Sequence, residues 1–399
     1  MKIPAIKGKI TDLFTKGTLA DRVTAALFCL FLIAAGVLTV VLPARAFSPN
    51  ENRTLMTGER LFAGNTAARV FDGSFEADAG DYFRDQFPLR ETMLKVKTLS
   101  DVALVRMETN GVIYGTSGYQ IPRPAQTSDT ATARNVAAIS LLRETLGEEG
   151  IPLVFAVAPR PADVLVRYYP SAYTGEELAD EREALFSAAP YAIDLRETIL
   201  QGINGGKYLY YRTDHHWTTE GAYLAYAAVA EALGVTPYPI ADFTRETASD
   251  AFYGTTYSKT LAPFTVPDTM EYFRYGGDET FTTRIADTGV SFAGFYDRSY
   301  LEGKDKYASF LSGNTARVTI RGEGEERPLL LVVKDSYFHS LAPFLARHFD
   351  LDLIDPRYYN ESVARLIEEE KPAAVLILCG LDTVTDSAAL SKLALGLGR

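Results

Sequence analysis

The chain has 399 residues and 47% hydrophobic content, enough to bury a sizeable core, which excludes wholesale disorder. The net charge of -11 and the lack of any basic stripe argue against nucleic-acid binding and speak to solubility, not to fold. The two cysteines, Cys29 and Cys379, give neither a disulfide framework nor a zinc-ligand spacing.

The first 22 residues carry Lys2, Lys7, Lys9, Lys16 and Arg22 against Asp12 and Asp21. Val23 to Leu42, "VTAALFCLFLIAAGVLTVVL", then runs without a charge. Twenty such residues as a helix span the roughly 30 Å apolar core of a bilayer, and the cationic flank predicts an N-terminus inside with the rest of the chain outside. A signal peptide cleaved near Ala44-Arg45-Ala46 is the competing expectation, but signal apolar regions run to about 7–15 residues. Both readings export the main domain. Residues 43–65 read as a stem, rich in turn formers. Phe75, Tyr82, Phe83, Leu89, Met93, Leu94 and Val96 predict helix on both sides of Pro88. "NGVIYGTSGYQI", Asn110 to Ile121, predicts a hairpin turning at Gly115–Gly118.

Beyond residue 131 the pattern becomes α/β. Val136, Ile139, Leu142 and Leu146 lie at helical spacing before Gly147. The apolar run from Pro152 to Pro159 predicts a buried strand. Further strands are expected at Ala192–Leu195, Tyr208–Tyr211, Leu329–Val333, Leu351–Ile354 and Ala373–Leu378, with helices over 175–188, 219–233, 341–348, 361–370 and 387–396. Such alternation predicts a parallel sheet covered on both faces. Residues 236–326, dense in Thr, Tyr, Phe and Gly, read as a β-rich insertion, a lid or substrate platform.

Two segments carry chemistry. In "YYRTDHHWTTEGAYLAY", two of the four histidines adjoin the only tryptophan. In extended chain, Asp214 and His216 share a face and His215 takes the other. A carboxylate held near an imidazole fixes its tautomer and stabilises the imidazolium; the plainer alternative is a cap for the helix starting near Thr219, from Asp214 or Thr218. The second segment is "PLLLVVKDSYFHSLAPFLARHF", where a buried strand runs through Lys334-Asp335-Ser336 into a helix. That edge of a parallel sheet is where nucleophiles and ligands sit. Pro343 belongs in a first helical turn, which makes Ser340 the expected cap and leaves Ser336 free. A serine hydroxyl needs a base, and His216 is the candidate. Asp214, His215, His216 and His339 form a weak metal set, since adjacent histidines usually diverge and no further ligand joins at a suitable spacing. No metal or cofactor is expected. Trp217 reads equally as core or as a sugar-stacking platform, Tyr337 and His339 as pocket wall, and His348 as a helix-ending cation. Arg357 and Gly380 end strands that reach the same edge.

"TDHHWT" and "VKDSY", behind an apolar N-terminal segment, Glu51-Asn52-Arg53, "FRDQFPLR" and "NGVIYG", resemble the DHHW family of exported bacterial proteins. That family is similar to the SGNH-hydrolase-like proteins of alginate O-acetylation, AlgJ and AlgX. The resemblance implies Asp214 as orienting acid, His216 as general base and Ser336 as nucleophile; by their places beside these residues or at the same sheet edge, Tyr337, Arg357, Trp217 and His215 are the expected substrate contacts. The order differs from ordinary SGNH hydrolases, in which the serine comes first, and Lys334 stands where those have glycine. Oxyanion assignments therefore do not transfer position by position, and the Ser336 amide is the safest donor.

The expected architecture is a three-layer α/β/α SGNH-hydrolase-like (flavodoxin-like) parallel sheet with a β-rich insertion at 236–326, preceded by one transmembrane helix. The expected organisation is a cytoplasmic tail (1–22), an anchor (23–42), a stem (43–65) and an extracytoplasmic domain (66–399) on a bacterial cell membrane. The expected function is serine O-acetyl transfer or acetyl-ester hydrolysis on cell-envelope or secreted polysaccharide, and the resemblance implies a membrane-bound acyltransferase partner that donates the acetyl group. The alternative is a non-catalytic glycan-binding or assembly protein with a degenerate site.

Overall fold

The computed structural model describes residues 18–51, 53–124, 128–173 and 179–397. The expected tail up to residue 17, Asn52 and the start of the 175–188 helix lie outside them. The chain divides into two compact units, Met1–Lys97 and Thr98–Arg399.

In the first unit a 23-residue helix, Leu19–Val41, is long and apolar enough to cross a membrane. Thr18 and Asp21 close its N-terminus as a capping box. Helices Gly58–Leu61, Thr66–Asp72 and Ser74–Gln86 come next. Pro88 then separates Gln86 from the helix beginning at Arg90, as expected. Glu51-Asn52-Arg53 and "FRDQFPLR" clasp each other here: Arg90 donates to Glu51 at 2.7 and 3.2 Å, and Arg53 pairs with Asp85. Gln86 bonds the backbone of Arg45 and Met56. These ties lie within the first unit and join residues 66–97 to the stem.

The second unit is built on one eight-stranded sheet. Its strands in chain order are β1 Leu153–Ala158, β2 Ile193–Asp194, β3 Phe281–Ile285, β4 Ser291–Ala293, β5 Arg317–Gly322, β6 Leu329–Lys334, β7 Asp350–Ile354 and β8 Ala374–Gly380. Across the sheet the order is β4-β3-β5-β7-β6-β8-β1-β2. The five strands from β7 to β2 are parallel, in the register Leu331 opposite Asp352 and Val375, and Ile377 opposite Phe155. The period of two divides their side chains between two cores. Leu330, Val332, Leu376 and Leu378 face one core, beneath helix Thr219–Ala232. Leu331, Val333, Val375 and Ile377 face the other, beneath Asp129–Glu148 and Val363–Glu370. The layered α/β/α expectation holds, and the insertion extends it. β3, β4 and β5 add three antiparallel strands to the same sheet, while Thr244–Phe252 and Asp268–Arg274 pair as a separate ribbon.

Two local expectations change, and a third gains a strand. Tyr208–Tyr211 is not a strand: it makes a single bridge, Tyr210 to Trp217, because the chain turns back on itself between them. The hairpin expected at 110–121 forms, Val112–Tyr114 against Gln120–Pro122 with its turn at 115–119, and a third short strand, Glu108–Thr109, joins it through Asn110-Gly111, with φ of 51° and 74°, the left-handed pair that a two-residue turn demands. The helix expected over 341–348 is only Ala342–Leu345.

Candidate active site

β6 ends in Lys334 at the carboxyl edge of the sheet, between β7 and β8, and hands the chain to a short turn, Ser336–Phe338. Asp335 fixes that turn. Its carboxylate accepts from the Tyr337 amide (3.0 Å), the Gly380 amide (2.7 Å) and the Thr383 hydroxyl (2.6 Å). Asp335, not Ser336, is therefore the cap, and the Ser336 hydroxyl stays free at a half-buried position. The Ser336 amide donates to no protein acceptor among the described residues, as an oxyanion donor must. Gly380 is a packing residue: its amide is spent on Asp335, and an added Cβ would come within 2.6 Å of the Tyr337 ring.

The histidine loop meets this turn from residues 211–218. Thr218 caps helix Thr219–Ala232 by accepting from the Gly221 amide, which releases Asp214 from any capping task. Asp214 and His216 are brought together by a turn, not by extended chain: Asp214 Oδ1 accepts from the His216 amide at 2.9 Å and bonds His216 Nδ1 at 2.5 Å. His216 Nε2 lies 2.7 Å from Ser336 Oγ. Asp214 Oδ2 accepts from the Thr255 amide (2.7 Å) and hydroxyl (3.0 Å). Burial alone favours the neutral acid at Asp214. The facing imidazoles of His216 and His215 and these hydrogen bonds outweigh it and hold the carboxyl well below the usual range. Tyr307 stacks flat on the His216 ring, 3.9 Å between centroids and 5° between planes.

The insertion thus supplies Thr255 and Tyr307, and neither carries a local sequence signal of its role. Gly254 does carry one. An added Cβ there would overlap the Asp214 Cβ and carboxylate, so glycine is required for close approach and not for a left-handed φ. Gly254→Ala is expected to displace Asp214 and lower ester turnover by about 10²-fold, as small misplacements at a reacting site do. It should lower the unfolding free energy by about 1–3 kcal/mol, the usual cost of overpacking, read by steady-state kinetics and denaturant melts on the same sample.

Four roles foreseen for side chains change. Trp217 has no exposed surface, and its indole N–H donates to the Tyr337 carbonyl (3.0 Å) and Ser340 Oγ (3.2 Å); it is a brace between the histidine and serine segments, not a stacking platform. Trp217→Ala should cost about 3–5 kcal/mol of stability in a denaturant titration. Tyr337 is likewise buried, its hydroxyl donating to the His215 carbonyl at 2.8 Å. Ser340, the expected cap, serves Trp217 and Tyr307 instead. His348 ends no helix: it bonds the Tyr226 hydroxyl at 2.9 Å, and burial lowers its basicity, so the dipole role does not apply.

Lys334 is wholly buried, its ammonium 2.7 Å from His339 Nε2 and 3.6 Å from Asp355. Burial lowers its pKa against the opposing pull of Asp355. Arg357 grips the same Asp355 at 2.6 and 2.9 Å and reaches Asn314. His215 holds Thr255 Oγ1 at 2.6 Å, and its ring lies 3.8 Å from that of His216, so the two histidines do not point apart. Asp214, His215 and His216 place three donor atoms within 4.8 Å of one another, a candidate metal set. Those of Asp214 and His216 are already engaged with each other and with Ser336, which leaves poor donors for an ion.

A buried strand, a sharp turn bearing serine and a histidine loop thus meet at the carboxyl edge of the sheet. The chain is similar in this region to SGNH-hydrolase-like and DHHW proteins. Residues 119–264 match the family described as "SGNH hydrolase-like domain, acetyltransferase AlgX", and residues 199–354 match that of the "DHHW protein". A DHHW family protein of Eubacterium siraeum has a similar structure, with a TM-score of 0.60 and 23% identity over 71% of this chain and 95% of its own. PatB1 of Bacillus cereus, solved with a sulfonyl adduct, gives a TM-score of 0.56 and 19% identity over 70% and 98%. The probable alginate O-acetylase AlgJ of Pseudomonas fluorescens is 27% identical over 43% of this chain and 46% of its own. The chain spans about half the length of the curated relatives it matches. The resemblance to DHHW and AlgJ/AlgX-like proteins drawn from "TDHHWT" and "VKDSY" is borne out.

Proposed function

We propose that this protein is a membrane-anchored, extracytoplasmic serine acyl-transfer enzyme, an O-acetyltransferase or acetylesterase of cell-envelope or secreted glycans. The single observation that carries the proposal is the continuous hydrogen-bond line from Ser336 Oγ through His216 to Asp214, at 2.7 and 2.5 Å. In this mechanism His216 Nε2 takes the Ser336 proton as Oγ attacks an acetyl ester carbonyl. Asp214 holds the Nδ1–H tautomer and stabilises the imidazolium, the Ser336 amide receives the oxyanion, and the leaving oxygen collects the proton from His216. The acetyl-enzyme then passes its acyl group to water or to a sugar hydroxyl. The AlgJ relatives, named as probable alginate O-acetylases, support a polysaccharide acceptor. The helix Leu19–Val41 with its preceding lysines supports an anchored protein with the catalytic unit outside the cytoplasm. A membrane-bound acyltransferase that supplies acetyl groups is the partner this reading calls for, and Arg357, through the Nη1 it does not spend on Asp355, is the substrate contact.

Activity-based labelling tests the proposal. A fluorophosphonate probe on the full-length protein in detergent should label the wild type and leave His216→Ala unlabelled. Labelling that ignores His216, or glycan binding with no labelling, would replace the enzyme by the non-catalytic glycan-binding reading.

A further inference from the structure

The proposed mechanism uses one of the two adjacent histidines and leaves the other unexplained. The hydrogen bonds fix the state of His215. Asp214 is ionised and can only accept, so the single Thr255 hydroxyl proton goes to its Oδ2 at 3.0 Å. Thr255 Oγ1 must then accept from His215 Nδ1 at 2.6 Å, which places the His215 proton on Nδ1 and leaves Nε2 as a bare lone pair. That Nε2 takes no partner among the described residues and is not sealed from solvent, on a side chain 36% exposed. Burial and the neighbouring His216 push the His215 pKa down to about 3, so the ring is neutral at working pH. The outcome is two imidazoles in contact, 3.8 Å between centroids and tilted by 39°. One faces Ser336, and the other carries its free acceptor on the adjoining ring.

We infer that His215 Nε2 accepts a hydrogen bond from the hydroxyl next to the attacking one, so that the site selects vicinal diols, the repeating feature of sugars, over water and simple alcohols. The inference rests on the acyl-transfer reading. In the transfer step the attacking hydroxyl oxygen forms its bond to the acyl carbon and gives its proton to His216 Nε2. The bond from Ser336 Oγ to that carbon breaks, and His216 returns the proton to Oγ. His215 neither gains nor loses a proton; it is a positioning residue that holds the second hydroxyl.

Competition between two small acceptors tests it. Full-length protein in detergent is given 4-nitrophenyl acetate with equal concentrations of ethylene glycol and ethanol, and glycol monoacetate, ethyl acetate and free acetate are quantified. The wild type should favour the glycol beyond the twofold expected from its two hydroxyls. His215→Asn keeps an amide near the Nδ1 position but has nothing at Nε2. It should lower the ratio of glycol ester to ethyl ester by about two- to tenfold, the weight of one neutral hydrogen bond. His215→Gln, which reaches the Nε2 position with an amide oxygen, should restore part of it. A purely structural role would lower all three products together and leave the ratio alone. A wild type without glycol preference, or a His215→Asn variant that keeps it, overturns the inference. A wild type that turns over no ester in a Ser336-dependent way overturns the acyl-transfer reading itself, a separate and visible failure.

Discussion

Ser336→Ala should lower turnover of a chromogenic acetyl ester by about 10³-fold or more, with the unfolding transition moved by no more than about 1 kcal/mol. The hydroxyl is half-buried and its partner is His216 Nε2 at 2.7 Å, so its loss removes one hydrogen bond and opens no core cavity. The chemistry loses its nucleophile outright, since no other described hydroxyl lies on His216 Nε2. His216→Ala should cost about as much, and the double variant little more than either, because residues that act as one unit are not additive. A double variant whose loss equals the product of the single losses would mean that the two act independently.

The second large effect belongs to Asp214→Asn. All four hydrogen bonds at this carboxylate arrive from donors: the His216 amide and Nδ1, and the Thr255 amide and hydroxyl. A carboxamide offers one acceptor and one donor, so it must set an N–H against one of these pairs. If the amide nitrogen faces His216, the ring takes the opposite tautomer and Nε2 carries the proton it is meant to accept. The expected fall in kcat is about 10³–10⁴-fold. Stability should fall by about 1–3 kcal/mol near neutral pH. The sign with pH is set by the depressed carboxyl pKa. Its contribution is fully present above the unfolded value, about 3.9, and is lost as pH falls through the folded one. The gap between wild type and variant should therefore narrow only in acid, below about pH 4. A gap that closes between pH 5 and 8 would contradict an ionised, hydrogen-bonded Asp214.

The parts of the fold that are legible in the sequence are those set by local pattern. Continuous apolar runs such as Leu329–Val333 and Ala373–Leu378 are buried on both faces, and β6 and β8 occupy them. The segments that mislead are those decided by distant partners. Tyr208–Tyr211 has the composition of a strand, yet Tyr208 is spent on Asp268 and the chain folds back toward Trp217. Ser340 has the right spacing for a cap before Pro343, but the indole of Trp217 and the phenol of Tyr307 claim its hydroxyl. At the site, the rule for extended chain pairs Asp214 with His216. The structure joins them through a side-chain turn, and the same turn lays His215 against His216 instead of across from it. Thr255 and Tyr307 are beyond the reach of sequence pattern because they come from the insertion, 41 residues past Asp214 and 29 before Ser336, with no periodicity to mark them.

The central claim, that Ser336 is the acyl carrier, is tested most directly by peptide mass spectrometry of full-length protein quenched during turnover of an acetyl ester. The account predicts an acetyl group on Ser336, absent from Ser336→Ala and from His216→Ala. Acetyl found on another residue, or turnover that persists in Ser336→Ala with no adduct at this position, would contradict it.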